Sequence, residues 1–239
     1  MDSSTHSLDN PIWTALATEQ AHLGFANALA CRYHPDVAPF AAMASDARES
    51  WLALGQLLSP GEQVALLSLD PVRPPESLRT QPVGLIHQMV AMRGDANGAD
   101  EADGHDILAL SQADANDMLR LAQKTKPGPF CSRTHEMGTY IGVRAQGRLI
   151  AMAGERMHPA GHVEISAVCV DDDWRGKGLA ARLVQRLQRD IRQRGESPFL
   201  HVLSNNSHAI ALYERLGFAL RQTFSLSLVG LAEPGASKA

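Results

Sequence analysis

Short apolar runs alternate with polar turns along the second half of the chain, and this pattern predicts strands. Residues 139–144 and 148–154 are strand-like, and the three turn-forming residues between them indicate a hairpin. Further strands are predicted at residues 107–110, 163–170 and 198–203. Strands come first and then alternate with helical patterns. This order predicts an α/β (α+β) fold with a mixed sheet and flanking helices.

Helical patterns lie between and before the later strands. Apolar residues recur at every fourth position from Leu179 to Ile191, which predicts a helix with one apolar stripe. Gly195 stands where the C-terminal cap of that helix is expected. A second helical pattern stops at Gly217, and an earlier helix is predicted to begin after Ser111, a capping residue.

The first ninety residues have element patterns of their own. Helical patterns occupy residues 10–24 and 46–58, and strand-like runs occupy 64–69 and 85–90. The stretch 94–105 is small, acidic and glycine-rich without apolar periodicity, which is typical of an exposed linker. The element order suggests that the first part is a degenerate half-copy of the fold that follows.

A chain of 239 residues fits one to two domains. The predicted division has an N-terminal α+β domain at 1–93, a linker at 94–105, a main domain at 106–230 and a flexible tail at 231–239.

Composition narrows the class of protein. The hydrophobic content of 44% and charged content of 20% are typical of a soluble globular protein, and a net charge of −4 gives no reason to expect nucleic-acid binding. No apolar run has membrane-spanning length, and the N-terminus does not resemble a signal peptide. The three cysteines are scattered, so neither disulfides nor a metal site is expected. We therefore expect a cytoplasmic protein without a metal or a membrane partner.

A polar turn at residues 171–178 connects a predicted strand to the helix that begins at Leu179. It ends in Arg175, Gly176, Lys177 and Gly178. The first N–H groups of a helix have no intrahelical partner and lie at the positive end of its dipole, so such a turn suits a pyrophosphate. A glycine pair alone is weak evidence, because an isolated pair is more often a tight strand-to-helix connection that binds nothing.

A second motif lies about thirty residues further on, where Asn206 and Tyr213 are followed by Gly217 and Phe218. Together the two motifs resemble the GNAT superfamily of acyl-CoA-dependent N-acyltransferases. Its pyrophosphate motif, [Q/R]-x-x-G-x-[G/A], is matched by Arg175, Gly178 and Ala180. The resemblance covers roughly residues 107–225.

This resemblance implies that acetyl-CoA is the cosubstrate. The pantetheine arm would lie along Val168, Cys169 and Val170, where a backbone N–H would polarise the thioester carbonyl. The pyrophosphate would be held by the turn and the first helical residues, namely Arg175, Gly176, Lys177, Gly178, Leu179, Ala180 and Ala181.

The second motif implies two further roles. Tyr213, whose phenol has a reference pKa of about 10, would protonate the departing CoA thiolate, or it would simply pack on the helix. Asn206 would hold the pantetheine chain, cap the helix, or do both.

Two residues are candidates for the general base. Glu164 lies four residues before Val168, so period-two alternation predicts that both side chains share a face of the sheet. Some members of the family have a catalytic glutamate there. His201 occupies a position where other members have a glutamate, and a histidine, with a reference pKa of about 6.5, can accept a proton. The structural alternatives are a solvated strand residue for Glu164 and a hydrogen-bonded sheet histidine for His201. The base would then be a water chain, or the substrate would arrive as the free amine.

The segment 126–138 is predicted to be a long irregular connection. In the family this region shapes the acceptor pocket, so Phe130, His135 and Glu136 are substrate-side candidates, with a plain surface loop as the alternative. Cys169 lies in an apolar strand and is expected to be an inert core thiol.

The predicted function is N-acetyl transfer from acetyl-CoA to a primary amine of a small molecule, amino acid or peptide. Direct transfer in a ternary complex is expected, by a chain acting as a monomer or homodimer. The alternatives are a catalytically silent acyl-CoA-binding regulatory module and a structural protein that keeps the fold without a ligand.

Overall fold

A computed structural model describes residues 7–92 and 106–232 of the chain. The helices are α1 (Pro11–Ala17), α2 (Arg48–Gly55), α3 (Ala115–Thr125), α4 (Leu179–Gln193) and α5 (Ser207–Arg215). The strands are β1 (Gly24–Ala26), β2 (Ala30–Tyr33), β3 (Ala41–Met43), β4 (Gln63–Ser68), β5 (Leu78–Ala91), β6 (Ile107–Leu110), β7 (Tyr140–Ala145), β8 (Arg148–Glu155), β9 (His162–Val170), β10 (Ser197–Leu203) and β11 (Phe218–Leu231).

Eight of the strands form one mixed sheet in the order β4-β11-β5-β10-β9-β8-β7-β6. Neighbouring strands are antiparallel except for β9 and β10, which are parallel. β1, β2 and β3 form a small second sheet. The mixed sheet and the hairpin between β7 and β8 confirm the predicted fold class, whereas the three short strands of the small sheet were not predicted.

Strands from the first ninety residues complete the large sheet. β5 lies between β10 and β11 and pairs with both, and β4 forms the edge beyond β11. The buried amide of Gln20 also donates hydrogen bonds to the carbonyl oxygens of Met137 and Arg156. The N-terminal part therefore shares a sheet with the C-terminal part. The division into two domains and the half-copy stay predictions. The linker predicted at 94–105 lies outside the described residues.

α4 covers one face of the sheet, as its periodicity predicted. Its apolar stripe is buried against residues of β8, β9 and β10, among them Ile150, Ile165 and Leu200. The helix ends at Gln193, and Gly195 follows with a φ of 81°, the left-handed conformation that glycine adopts at a helix end. Local spacing was sufficient to predict this element.

The opposite face is covered by two groups of residues. α3 packs Met118 and Leu121 against Met152 of β8 and its neighbours. α1 and the small sheet pack over Phe199 of β10 and the adjoining strands β5 and β11. Within residues 7–92 and 106–232, no helix combines the length and the apolar character that spanning a bilayer requires.

Candidate active site

β9 and β10 run side by side for only a short distance. They pair from His162 and Ser197 to Glu164 and Phe199, and beyond this point β10 is paired only with β5. The second half of β9 therefore separates from β10. The result is a crevice in the middle of the sheet, between two strands that would otherwise close it.

A β-bulge in β9 accompanies this separation. The register with β8 passes from Ser166–Gly154 to Cys169–Met152, so two residues of β9 oppose one of β8. Ala167, within the bulge, has a φ of 52°, a left-handed conformation that non-glycine residues adopt rarely. A bulge bends the strand that carries it, and bulges are frequent next to active sites.

The bulge makes one expectation about β9 wrong. Glu164 and Val168 were expected on the same face, but the extra residue reverses the alternation between them. Val168 packs in the cluster beneath α4, together with Ile165. Glu164 points to the opposite face, where it binds Arg156.

A cavity of about 990 Å³ occupies the crevice. On the α4 face its wall includes Gly178, Asn206 and Tyr213, and on the opposite face it includes Phe40 and Met157. The cavity therefore connects the two faces of the sheet. Most of the predicted cofactor residues line it, namely Val168, Cys169, Val170, Arg175, Gly176, Gly178, Leu179, Ala180, Ala181, Asn206 and Tyr213.

The N-terminus of α4 opens onto this cavity. Gly176 and Gly178 have φ values of 75° and 76°, and the first intrahelical hydrogen bond runs from the N–H of Arg182 to the carbonyl of Gly178. No side chain caps the helix in the described part of the chain. The first-turn N–H groups, at Leu179 and the two alanines that follow it, therefore face the cavity without a cap.

Two basic side chains beside this turn have protein partners. Arg175 lines the cavity, and its guanidinium lies 2.8 Å from Asp172. The ammonium of Lys177 lies 4.2 Å from the ring centroid of Trp174, and Lys177 is absent from the lining residues of the cavity as described. Further along α4, Arg186 pairs with Asp190 on the helix surface, which is typical of a solvated helix face.

The buried carboxylate of Asp171 anchors the start of the same turn. It accepts hydrogen bonds from Lys124 of α3, at 2.8 and 2.9 Å, and from the N–H of Asp173. The hydrogen bond from Lys124 lowers the pKa of Asp171. Sequence reasoning did not identify this residue, because its partner lies on a distant helix.

α5 brings the second motif to the cavity. The side-chain oxygen of Asn206 accepts a hydrogen bond from the N–H of Ala209, so Asn206 is the N-cap of the helix. Two turns after Asn206, Tyr213 is half-buried, with its ring centroid 6.0 Å from that of Phe218. Burial raises the pKa of Tyr213 to about 12.

Glu164 lies beneath the cavity and is fully buried. Its carboxylate accepts hydrogen bonds from Arg156 at 2.5 and 2.8 Å and contacts Nδ1 of His201 at 2.7 Å. Burial acts to raise the pKa of Glu164, but the charge and hydrogen bonds of Arg156, together with His201, outweigh it and lower the pKa to about 2. The sequence offered no signal for Arg156.

Both ring nitrogens of His201 have partners. Nε2 lies 3.3 Å from the amide nitrogen of Gln88. That amide is oriented by Arg221, which donates to its oxygen at 2.9 Å, and by the carbonyl of Leu8, which accepts from its nitrogen. His201 therefore accepts at Nε2 and donates from Nδ1 to Glu164.

The three substrate-side candidates lie elsewhere. The side chains of Phe130 and Tyr140 pack edge to face, His135 is hydrogen-bonded to Gln112, and Glu136 pairs with Arg133 at 2.7 Å. None of these candidates is among the residues that line the cavity in the described ranges. The cavity wall is formed instead by the beginning of the same segment, Lys126, Pro127, Gly128 and Pro129.

Burial raises the pKa of the Cys169 thiol to about 11, so the thiol stays protonated at neutral pH, as expected for an inert core cysteine.

Comparisons with known proteins agree with this architecture. A family model described as "FR47-like protein" matches residues 140–225. The solved structure of a putative acetyltransferase of the GNAT family from Novosphingobium aromaticivorans is 39% identical, covers 95% of this chain and 100% of its own, and superposes with a TM-score of 0.87.

Two curated relatives are similar over shorter stretches. The N-alpha-acetyltransferase RimI of Mycobacterium tuberculosis is 31% identical over 47% of this chain and 77% of its own length. A mycothiol acetyltransferase of Saccharomonospora viridis is 35% identical over 36% of this chain, and the match spans only 31% of that protein. Because the relative from Novosphingobium aromaticivorans is 39% identical over the whole of its own length, the chain belongs to the GNAT family of acetyltransferases.

Proposed function

We propose that this chain is an N-acetyltransferase that moves an acetyl group from acetyl-CoA to a primary amine by direct transfer in a ternary complex. The supporting observation is the cavity of about 990 Å³ that crosses the sheet where β9 and β10 separate. It gives two substrates access from opposite faces, so that they meet at the crevice without a covalent enzyme intermediate.

The uncapped N-terminus of α4 is the proposed site for the pyrophosphate of acetyl-CoA. The left-handed conformations of Gly176 and Gly178 turn the chain tightly enough to present the N–H groups of residues 179–181. An anion at such a helix end is stabilised by about 0.3–1 kcal/mol from the dipole, in addition to its hydrogen bonds. Arg175 and Lys177 would contribute positive charge near the phosphates, mainly at long range, because their side chains have partners of their own.

β9 would bind the pantetheine arm as an added strand. The N–H of Asp171 donates to Ile150 of β8, so alternation along the strand directs the N–H groups of Val170 and Val168 away from β8 and towards the crevice. Either group would polarise the thioester carbonyl. A single donor of this kind typically contributes about 3–4 kcal/mol to the transition state. Asn206 would contact the arm from the other side while it caps α5.

Tyr213 is the proposed general acid. When the amine nitrogen bonds to the acetyl carbonyl carbon, the C–S bond breaks and the CoA thiolate needs a proton. With a pKa of about 12, the phenol of Tyr213 holds its proton at neutral pH and lies on the cavity wall.

Glu164 and His201 are poorly placed to act as a general base. Glu164 is fully buried in an ion pair that keeps its pKa at about 2, and His201 has partners at both nitrogens. We therefore propose that both residues hold the strands around the crevice, and that the amine reacts in its neutral form and releases its proton to water.

Glu164 and His201, the two base candidates, are both held in hydrogen bonds to other protein groups. This observation also favours a second function, a catalytically silent module that binds acyl-CoA. The two functions differ in turnover alone. Thermal unfolding with acetyl-CoA, CoA or ATP tests the cofactor site, since only the two CoA compounds should raise the melting temperature. Release of free thiol over a panel of amines then separates the enzyme from the silent module. Binding of acetyl-CoA without turnover of any amine would support the module.

A further inference from the structure

The cavity has a lobe on the face that the first ninety residues cover. We call it the apolar lobe and define it by the lining residues Pro39, Phe40, Ala65, Leu67, Leu226 and Leu228. Leu67 and Leu226 are cross-strand neighbours of β4 and β11, and Ala65 and Leu228 form the next pair on the same face. Since the proposed pyrophosphate site lies on the other face, this lobe is the space left for the acceptor.

The charges of the cavity wall limit which amines can enter. Among its lining residues in the described ranges 7–92 and 106–232 there is no aspartate or glutamate, whereas Lys126, Arg156, Arg175 and Arg215 are basic. An amine with additional positive charges would find no carboxylate in this wall to pair with. The wall therefore disfavours polyamines and lysine-rich peptides.

Arg156 supplies a polar group at the edge of the apolar lobe. Its Nε and Nη2 donate to Glu164, and its guanidinium lies 4.8 Å from the ring centroid of Phe40. The side chain is only 9% exposed, yet Arg156 lines the cavity. These contacts hold the guanidinium in place and leave its third nitrogen, Nη1, with N–H groups to offer to an oxygen of a ligand. Guanidinium groups pair most strongly with carboxylates.

We infer that the acceptor is a free α-amino acid with a large apolar side chain, an extension that rests on the proposed function. The side chain fills the apolar lobe, and the carboxylate accepts hydrogen bonds from Nη1 of Arg156. The amine nitrogen then forms its bond to the acetyl carbonyl carbon while the C–S bond breaks. The thiolate takes a proton from Tyr213, the amine gives up its proton to water, and water returns a proton to the Tyr213 phenolate.

Matched acceptors test this inference on the full chain. Initial rates of thiol release from acetyl-CoA are measured with L-leucine, L-leucinamide, L-alanine, L-lysine and spermidine. Losing a charge-assisted hydrogen bond or a buried isobutyl group typically costs about tenfold or more, so kcat/KM should be at least that much higher for leucine than for leucinamide or alanine. Equal rates with leucinamide would overturn the role of Arg156, and a preference for lysine or spermidine would overturn the inference as a whole.

A pair of variants locates the acceptor without disturbing the cofactor. Leu67→Glu places a carboxylate in the apolar lobe, and it should raise KM for leucine about tenfold or more while KM for acetyl-CoA stays unchanged. Leu69→Glu is the control, because Leu69 is 58% exposed and lies outside the cavity wall as described. Equal effects of the two variants would contradict the proposed location.

The failure of this inference can be told apart from failure of the proposed function. Acetyl-CoA binding is measured by calorimetry in parallel. If acetyl-CoA does not bind, or if no amine is turned over, the transferase itself is wrong. If acetyl-CoA binds and only amines without an apolar side chain react, the transferase stands and the acceptor class is wrong.

Discussion

The ammonium of Lys124 lies 2.8 Å from the carboxylate of Asp171 and thereby ties the end of α3 to the start of the turn that precedes α4. The Asp171 side chain is 3% exposed, whereas that of Lys124 is half-exposed, so the ion pair joins a buried acid to a base at the surface. The same carboxylate accepts from the N–H of Asp173 within the turn. A residue outside the cavity wall therefore fixes the conformation of the proposed pyrophosphate site.

The first prediction concerns this anchor. Asp171→Asn should weaken acetyl-CoA binding several-fold and lower stability by about 1–3 kcal/mol, because a buried charge-assisted hydrogen bond is lost. Asp190→Asn, which breaks a surface pair within α4, is the matched control and should change neither quantity noticeably. Calorimetric titration and thermal unfolding measure both effects. Unchanged affinity in Asp171→Asn would show that the turn needs no anchor.

The second prediction separates strain from ligand contact at Gly178. Gly178→Ala and Gly147→Ala both force a left-handed conformation on alanine, at φ values of 76° and 75°, and neither new Cβ would meet an atom within 4 Å. Both variants should therefore lose about 1–2 kcal/mol of stability. Only Gly178→Ala should also weaken acetyl-CoA binding, because Gly147 lies in the β7–β8 hairpin, away from the cavity.

A similar loss of affinity in both glycine variants would mean that the effect is a general loss of stability. Affinity measured well below the melting temperature of each variant makes this comparison fair.

Sequence patterns predicted those parts of the site that depend on neighbours in the chain. The stripe of α4, its glycine end and the cap at Asn206 follow from local spacing and local conformational preference. The bulge at Ala167 could not be predicted in this way, because alanine carries no preference for a left-handed conformation. The prediction that Glu164 and Val168 share a face of the sheet was therefore wrong, because the bulge inserts one extra residue between them.

Local sequence patterns also could not predict the contacts between distant parts of the chain. A strand run at 85–90 was predicted, but nothing in it indicates that β5 pairs with β10 and β11. Arg156 follows an apolar strand and has no motif, and its importance comes from Glu164 and Phe40, which different elements bring to it. The acceptor side of the cavity depends mostly on such contacts.

The third prediction is a pH dependence set by Glu164. Its pKa in the folded protein is about 2 against an ordinary value of 4.5, so ionised Glu164 stabilises the fold at neutral pH. This contribution, of up to about 3 kcal/mol, is fully present above pH 4.5 and is lost as the pH falls towards 2. Glu164→Gln should therefore be less stable than the parent at pH 7, and the difference should shrink in acid.

Urea unfolding at several pH values between 3 and 7 measures this difference. A constant difference across that range would contradict the depressed pKa. Glu136→Gln is a suitable control, because Glu136 forms an exposed pair with Arg133 and should show little effect.

The fourth prediction tests the proposed acid. Tyr213→Phe should lower turnover by about 10²-fold or more while leaving acetyl-CoA affinity nearly unchanged, because only the proton for the thiolate is removed. Tyr140→Phe is the control: the Tyr140 hydroxyl is buried without a hydrogen-bond partner in the described structure and lies outside the cavity wall. Its removal should leave turnover intact. Pre-steady-state measurement of thiol release gives the chemical step directly, and an unchanged rate in Tyr213→Phe would exclude the phenol from it.

The fifth prediction concerns the strands that the first ninety residues supply. A fragment that begins at residue 106 lacks β5, so β10 and β11 would lose the partner between them, and Phe199 would lose the cover of α1 and the small sheet. We expect this fragment to show no cooperative thermal unfolding when it is followed by circular dichroism. Its unpaired strand edges and newly exposed apolar surface would cost more free energy than its remaining contacts supply. A fragment that begins at residue 78 restores β5 alone and should recover part of the structure, which separates the strand's contribution from that of the remaining N-terminal residues. Cooperative unfolding of the shorter fragment would show instead that the C-terminal part is an independent folding unit, as the predicted division into domains implies.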